Sequence, residues 1–160
     1  MTKDTLHFLF DYREGKLFWK NKTHPKSNRK IGVEAGTWSN GYRVVHIDKN
    51  PYYIHKLIYL YHHGYIPEVV NHIDENSGNN KIENLRPATF AQATQSSPKR
   101  ARNKLGIKNV HFNEKSKRYH VSIRANKKDI FIGSYENLDS ANSAAINARN
   151  KYHGNFANHK

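Results

Sequence analysis

Short stretches of the chain alternate apolar and polar positions, and two longer ones repeat them every three to four residues. Lys16-Leu17-Phe18-Trp19-Lys20 and Gly41-Tyr42-Arg43-Val44-Val45-His46-Ile47 read as strands. Asp48-Lys49-Asn50-Pro51 reads as a turn, with Tyr52-Tyr53-Ile54 returning as a hairpin partner. From Ile54 to His63, Ile54, Leu57, Ile58 and Tyr61 fall on one helical face, and Gly64 stops the helix. Val69 to Asp74 predicts a strand, Glu75 to Asn80 a polar loop and Lys81 to Arg86 a second strand. Thr89 is a candidate N-cap for a helix through Phe90-Ala91-Gln92-Ala93. The order of this middle segment is therefore ββα.

Residues 96–105 carry no periodicity, hold Pro98 and are basic, as a linker is. After it the pattern gives three strands, Ile107 to Phe112, Arg118 to Arg124 and Ile130 to Tyr135. The middle one alternates, with Tyr119, Val121 and Ile123 on one face and Arg118, His120, Ser122 and Arg124 on the other. A helix follows Asn137, a good N-cap, and its stripe of Leu138, Ala141, Ala145, Ala148 and Tyr152 lets it lie close to a sheet. The fold class read from the pattern is α+β, a β-rich N-terminal part followed by a three-stranded antiparallel sheet packed on one helix.

Charge adds a partner to this picture. The 160 residues hold 27 Lys and Arg against 13 Asp and Glu, a formal net charge of +14, which points to a polyanion. Between Thr94 and Lys128 stand eleven Lys or Arg and one acid, Glu114, so that segment carries most of the excess. There is no Cys, which excludes disulfides, thiolate metal sites and cysteine nucleophiles. No apolar run is long enough to span a membrane and no leader pattern opens the chain, so the expectation is an intracellular protein that binds nucleic acid and no membrane.

Candidate chemistry lies in the ββα segment. His72 and Asn84 stand twelve residues apart across the expected hairpin, a spacing that brings the two side chains together. A neutral His there takes a proton from water, and nearby Asn and Asp oxygens hold a Mg²⁺ against a phosphate. Asn79 and Asn80 read as turn residues, His55 as structural or phosphate-contacting, and His62 and His63 as cations favoured by a helix C-terminus.

The run Asn71-His72-Ile73-Asp74, Asn79-Asn80, Ile82, Asn84-Leu85-Arg86 and Ala88-Thr89 resembles the HNH endonucleases, in particular the ββα-metal nucleases of phages and mobile introns. The helix from His55 to Gly64 and the segments Gly15-Lys16-Leu17-Phe18-Trp19, Ala35-Gly36 and Gly41-Tyr42 match as well, so the resemblance covers most of residues 6–95. It implies His72 as general base, Asn84 as the residue that orients it, and positions 71 and 93 as ligands of one Mg²⁺ or Mn²⁺. Asn71 stands where the family most often has Asp, and Ala93 has no donor atom. The resemblance therefore implies a metal-dependent, site-specific DNA endonuclease of homing or nicking type that is impaired at position 93. A non-catalytic, sequence-specific DNA-binding regulator is the competing reading, and an RNA-binding protein fits the charge but neither motif.

The C-terminal matches are Gly106-Ile107, Tyr119 to Arg124, Ile130 to Tyr135, Ala141, Ala144-Ala145, Gly154 and Asn158. They resemble the APETALA/ethylene-response-factor DNA-binding domain, whose sheet reads double-stranded DNA in the major groove. That resemblance implies base-facing roles for Lys108, Ser122, Arg124 and Phe131. The strand alternation adds Arg118 and His120, and the linker's Lys99, Arg100, Arg102 and Lys104 would follow the phosphate backbone. The expected organisation is a nuclease domain at 1–95, a basic linker at 96–105 and a DNA-binding domain at 106–160. No small-molecule cofactor is expected.

Overall fold

The computed structural model describes residues 1–97 and 103–159. Lys99, Arg100 and Arg102 of the expected linker lie outside the described residues. The chain divides into two compact units, Met1–Thr89 and Phe90–Lys160. Among the described residues no helix is long and apolar enough to cross a membrane.

The first unit opens with α1 (Lys3–Leu9), capped by the Thr2 hydroxyl, which accepts from the Thr5 N–H. Its Leu6 and Leu9 are buried, and neither α1 nor the strand after it was apparent from periodicity, because each is too short to show a full repeat. β1 (Phe10–Arg13) and β2 (Lys16–Trp19) form a hairpin over Glu14-Gly15, both at positive φ, the turn that matches strand twist. β3 (Thr37–Ser39), β4 (Tyr42–Ile47) and β5 (Asn50–Tyr53) form an antiparallel meander. Its second turn, Asp48-Lys49, sits one residue ahead of the Lys49-Asn50 centre of the expected tetrad, and Asn50-Pro51 start β5 instead.

α2 (Ile54–His63) follows the expected span and ends at Gly64 in the left-handed region, with φ +80°. Its Ile54, Leu57 and Ile58 enter a core with Leu6, Phe10, Leu17, Val45, Val70 and Leu85. β6 (Val69–His72) pairs antiparallel with β7 (Leu85–Ala88), placing Asn71 opposite Arg86 and His72 opposite Leu85. The expected strand at 81–86 is thus shifted. Ile82–Asn84 forms one 3₁₀ turn, and only then does the chain extend. A strand would put Ile82 and Asn84 on one face; the turn lets Ile82 pack on the core while the Asn84 amide reaches the loop before it.

The second unit holds α3 (Phe90–Ser96), the sheet β8 (Val110–Asn113), β9 (Arg118–Ala125) and β10 (Lys128–Tyr135), and α4 (Leu138–His153). The strand order is β10-β9-β8, all antiparallel, with an irregularity between Phe131 and Gly133. Asn137 caps α4 by accepting from the Ser140 N–H at 2.8 Å, and Ala141 and Ala145 lie against Val110 and Val121. The alternation along β9 holds: Val121, Ile123 and Ala125 are buried, while Arg124 is exposed. α3, which the sequence reading joined to the first domain, is held inside this unit. The Ser96 carbonyl accepts from the Asn158 amide at 2.6 Å, and the Gln95 carbonyl accepts from the Lys108 ammonium at 2.7 Å. The buried Arg149 guanidinium donates to the Lys108 carbonyl at 2.6 Å and to His159 Nδ1 at 3.1 Å, fixing the C-terminal tail.

Candidate active site

β6 ends on His72, whose ring is buried beneath the loop that follows. His72 Nε2 lies 2.8 Å from Asn80 Oδ1. An amide oxygen only accepts, so Nε2 is the donor in this contact, and in the neutral ring Nδ1 is the nitrogen left with the lone pair. Asn80 is itself buried, and no turn requires that. It is the partner of His72 Nε2, where a turn residue was expected. Two neighbouring Asn with one buried and one not have no signature in a single sequence.

Asn84, expected to orient His72, does other work. Its Nδ2 donates to Asp74 Oδ1 at 2.9 Å and to the Asn79 carbonyl at 2.7 Å, and its Oδ1 accepts from the Asp74 N–H at 3.1 Å. The spacing of twelve does join the two strands, since the Ile73 N–H donates to the Asn84 carbonyl at 2.9 Å, but the two side chains go to different partners. Asp74 also accepts from the Asn76 N–H at 2.8 Å and from Asn79 Nδ2 at 2.7 Å. Desolvation pushes its carboxyl up, and the hydrogen bonds from Asn79, Asn84 and the Asn76 backbone outweigh that, leaving it below its ordinary value. Asn84 and Asp74 thus lock the loop that carries Asn80. The same loop touches the meander, where Ser77 Oγ donates to the Gly41 carbonyl at 2.6 Å.

His55, the second residue of α2, is buried 5.2 Å from the His72 ring and 5.2 Å from the Tyr42 ring, centre to centre. Burial, then the nearby His72 and Lys56, pull its pKa down to about 3. It is therefore a neutral wall of the site. His62 also departs from the cationic role expected at a helix end. Burial, with His63, His7 and Lys3 around it, lowers its pKa despite the favourable dipole.

HNH nucleases generally use a divalent metal, and the two positions implied as ligands fit one poorly. Asn71 Oδ1 already accepts from Arg86 Nε at 2.8 Å. Ala93, on α3, has a methyl group and offers no side-chain donor. Among the described residues no group of three or more His, Asp or Glu is placed to hold a metal ion. Mg²⁺ is ordinarily held through one or two carboxylates, and neither position supplies one.

In the second unit a groove is lined by Lys104, Lys108, Ser122 and Arg124, together with His111 and Thr94. Four of the expected DNA-binding residues thus meet there. Lys108 differs from expectation: it precedes β8, and its ammonium is spent on the carbonyls of Gln95 and Ser97. Arg118 and Arg124 face outward but are paired, Arg118 with Glu136 at 2.8 Å and Arg124 with Asp129 at 3.2 Å. His120 meets Ser116 Oγ at 3.2 Å and packs edge-on against the exposed Phe131.

No curated protein and no solved structure matches the chain. Residues 52–95, from the end of β5 through α2, the β6–β7 hairpin and most of α3, match the family model described as HNH endonuclease, and over that stretch the chain carries an HNH endonuclease domain.

Proposed function

We propose that the chain is a DNA endonuclease of homing or nicking type in which His72 is the general base, and that it is impaired in the form its sequence gives. The observation that carries this is the hydrogen bond from His72 Nε2 to Asn80 Oδ1, which leaves Nδ1 basic. Nδ1 takes a proton from water; the water oxygen bonds to phosphorus, and the bond from phosphorus to the leaving sugar oxygen breaks. In HNH nucleases a divalent metal supplies the charge that offsets the leaving oxygen. Here Asn71, with its Oδ1 taken by Arg86, would hold such a metal weakly, and the methyl of Ala93 would not hold it at all. The sheet face with Ser122, Arg124, Arg118, His120 and Phe131, and the basic residues Lys99, Arg100, Arg102 and Lys104, would hold duplex DNA. For the two arginines this means exchanging Glu136 and Asp129 for a phosphate or a base edge, which is inexpensive because exposed ion pairs are worth ~1 kcal/mol or less. Lys108 would act by fixing the end of α3.

The same missing donor favours a second reading, a DNA-binding regulator whose nuclease part no longer cuts. Incubation with supercoiled plasmid and Mg²⁺ or Mn²⁺ separates them. The first reading expects slow nicking that His72→Ala lowers by roughly 10²–10⁴, the usual range for a general base. Binding without any nicking, unchanged by His72→Ala, supports the regulator.

A further inference from the structure

Between Trp19 and Thr37 the first unit has no helix or strand, yet the segment is built. The Arg29 guanidinium lies 4.2 Å from the Trp19 ring centre, donates to Thr23 Oγ1 at 3.1 Å and reaches the His46 carbonyl. Trp19 and Val33 share a backbone hydrogen bond of 3.0 Å, Gly32 donates to the Trp19 carbonyl at 2.7 Å, and Ser27 is buried. From Lys20 to Lys30 the loop has five Lys or Arg and no acid. Lys20, at the start of the loop, and Arg13, Lys16, Arg43 and Lys81 elsewhere in this unit are each paired with a carboxylate. Lys22, Lys26, Lys30 and the adjoining Lys49 are exposed and make no ion pair among the described residues. Lys26 and Lys49 line one shallow pocket with His24, Asn28 and a single acid, Asp48.

β4 measures how far this patch is from the site. One end of β4 adjoins Gly41, which accepts from Ser77 of the His72 loop, and the Tyr42 ring lies 6.4 Å from the His72 ring. The other end runs into Asp48-Lys49, beside the lysine loop. Six residues of strand at ~3.3 Å each separate the two by roughly 20 Å. That distance matches about six base pairs at ~3.4 Å per step.

We propose that Lys22, Lys26, Lys30 and Lys49 form a second DNA-backbone surface, contacting phosphates about six base pairs to one side of the phosphate at His72. It rests on the reading of the first unit as a nuclease acting on duplex DNA. Exposed lysines without carboxylate partners, on a loop that is itself held, are suited to phosphates as point charges, reading no sequence. Because Ile31 and Val33 beside them are exposed, an anionic lipid surface is the alternative that the test must exclude.

The test uses the full chain and a fluorescent 30-base-pair duplex of arbitrary sequence, with affinity measured across a KCl series. The triple variant Lys22→Ala/Lys26→Ala/Lys30→Ala should flatten the slope of log K against log salt by about 3, at ~0.9 per lost phosphate contact. Lys16→Ala, which removes a lysine already paired with Glu34, should leave the slope unchanged. The triple Lys→Arg variant should restore it, which rules out a folding defect as the cause. A triple Ala variant with the parent's slope would overturn the proposal, as would binding to phosphatidylserine vesicles that the triple variant loses while duplex binding is kept. If the parent chain binds no duplex, the nuclease reading fails first and takes this surface with it.

Discussion

Asn80 acts on His72 through one hydrogen bond, and at the residue scale that bond is where the chemistry is most exposed to test. Asn80→Ala removes the acceptor and lets the imidazole proton move between its two nitrogens. A hydrogen bond of about 1 kcal/mol corresponds to about fivefold, so nicking should fall by about that factor while duplex affinity stays put. Asn84→Ala should behave differently. It strips Asp74 and the Asn79 carbonyl of their shared donor, and unfolding in urea should show a loss of ~1–3 kcal/mol. The two asparagines thus separate by assay, one through rate and the other through stability. The place of Asn71 and His72 on a strand was legible in the sequence, because the apolar pair Val69-Val70 leads into them. The Asn80 role was not, because it depends on which of two adjacent amides the loop turns inward.

At the scale of elements, α2 and the β1–β2 turn both come close to the site. His55 on α2 has a pKa depressed to about 3 in the folded chain and near 6.5 unfolded. The unfolded chain therefore binds the extra proton first, so this stability is whole above pH 6.5 and is lost as pH falls toward 3. The slope contributed is about 1.4 kcal/mol per pH unit inside that window. Urea midpoints from pH 7 to 4 should fall steeply for the parent and less so for His55→Gln. Gly15 has φ +81°, and a Cβ there would stand 2.7 Å from the Lys81 nitrogen and 2.9 Å from the Asn80 carbonyl carbon. Gly15→Ala should therefore lower the melting temperature and slow nicking together, since the displaced backbone is that of Asn80. Long periodic elements such as α2, β9 and α4 were readable in advance. α1, β1 and β3 are too short to show a period, and the 3₁₀ turn at 82–84 is held by long-range partners, with Ile82 on the core and Asn84 bonded to Asp74 and Asn79.

The whole molecule carries its excess charge unevenly, and duplex binding should show it. With about six phosphates neutralised, log K should fall against log salt with a slope near roughly −5, and a slope shallower than about −2 would count against backbone contact by the basic segments. Affinity and cleavage are separable here, because the cationic surfaces do not include His72. The division of the chain at Thr89 and Phe90 was not legible, since the ββα order of the sequence runs through it without a change in composition. The most direct test of the account asks whether His72 does the cutting when a side-chain amide is placed at position 93, the position proposed as a metal ligand. Plasmid nicking by Ala93→Asn, with Mg²⁺, should exceed that of the parent chain by orders of magnitude, and Ala93→Asn/His72→Ala should return it to background with duplex affinity unchanged. Equal nicking by the parent and Ala93→Asn, or undiminished nicking by the double variant, would contradict it.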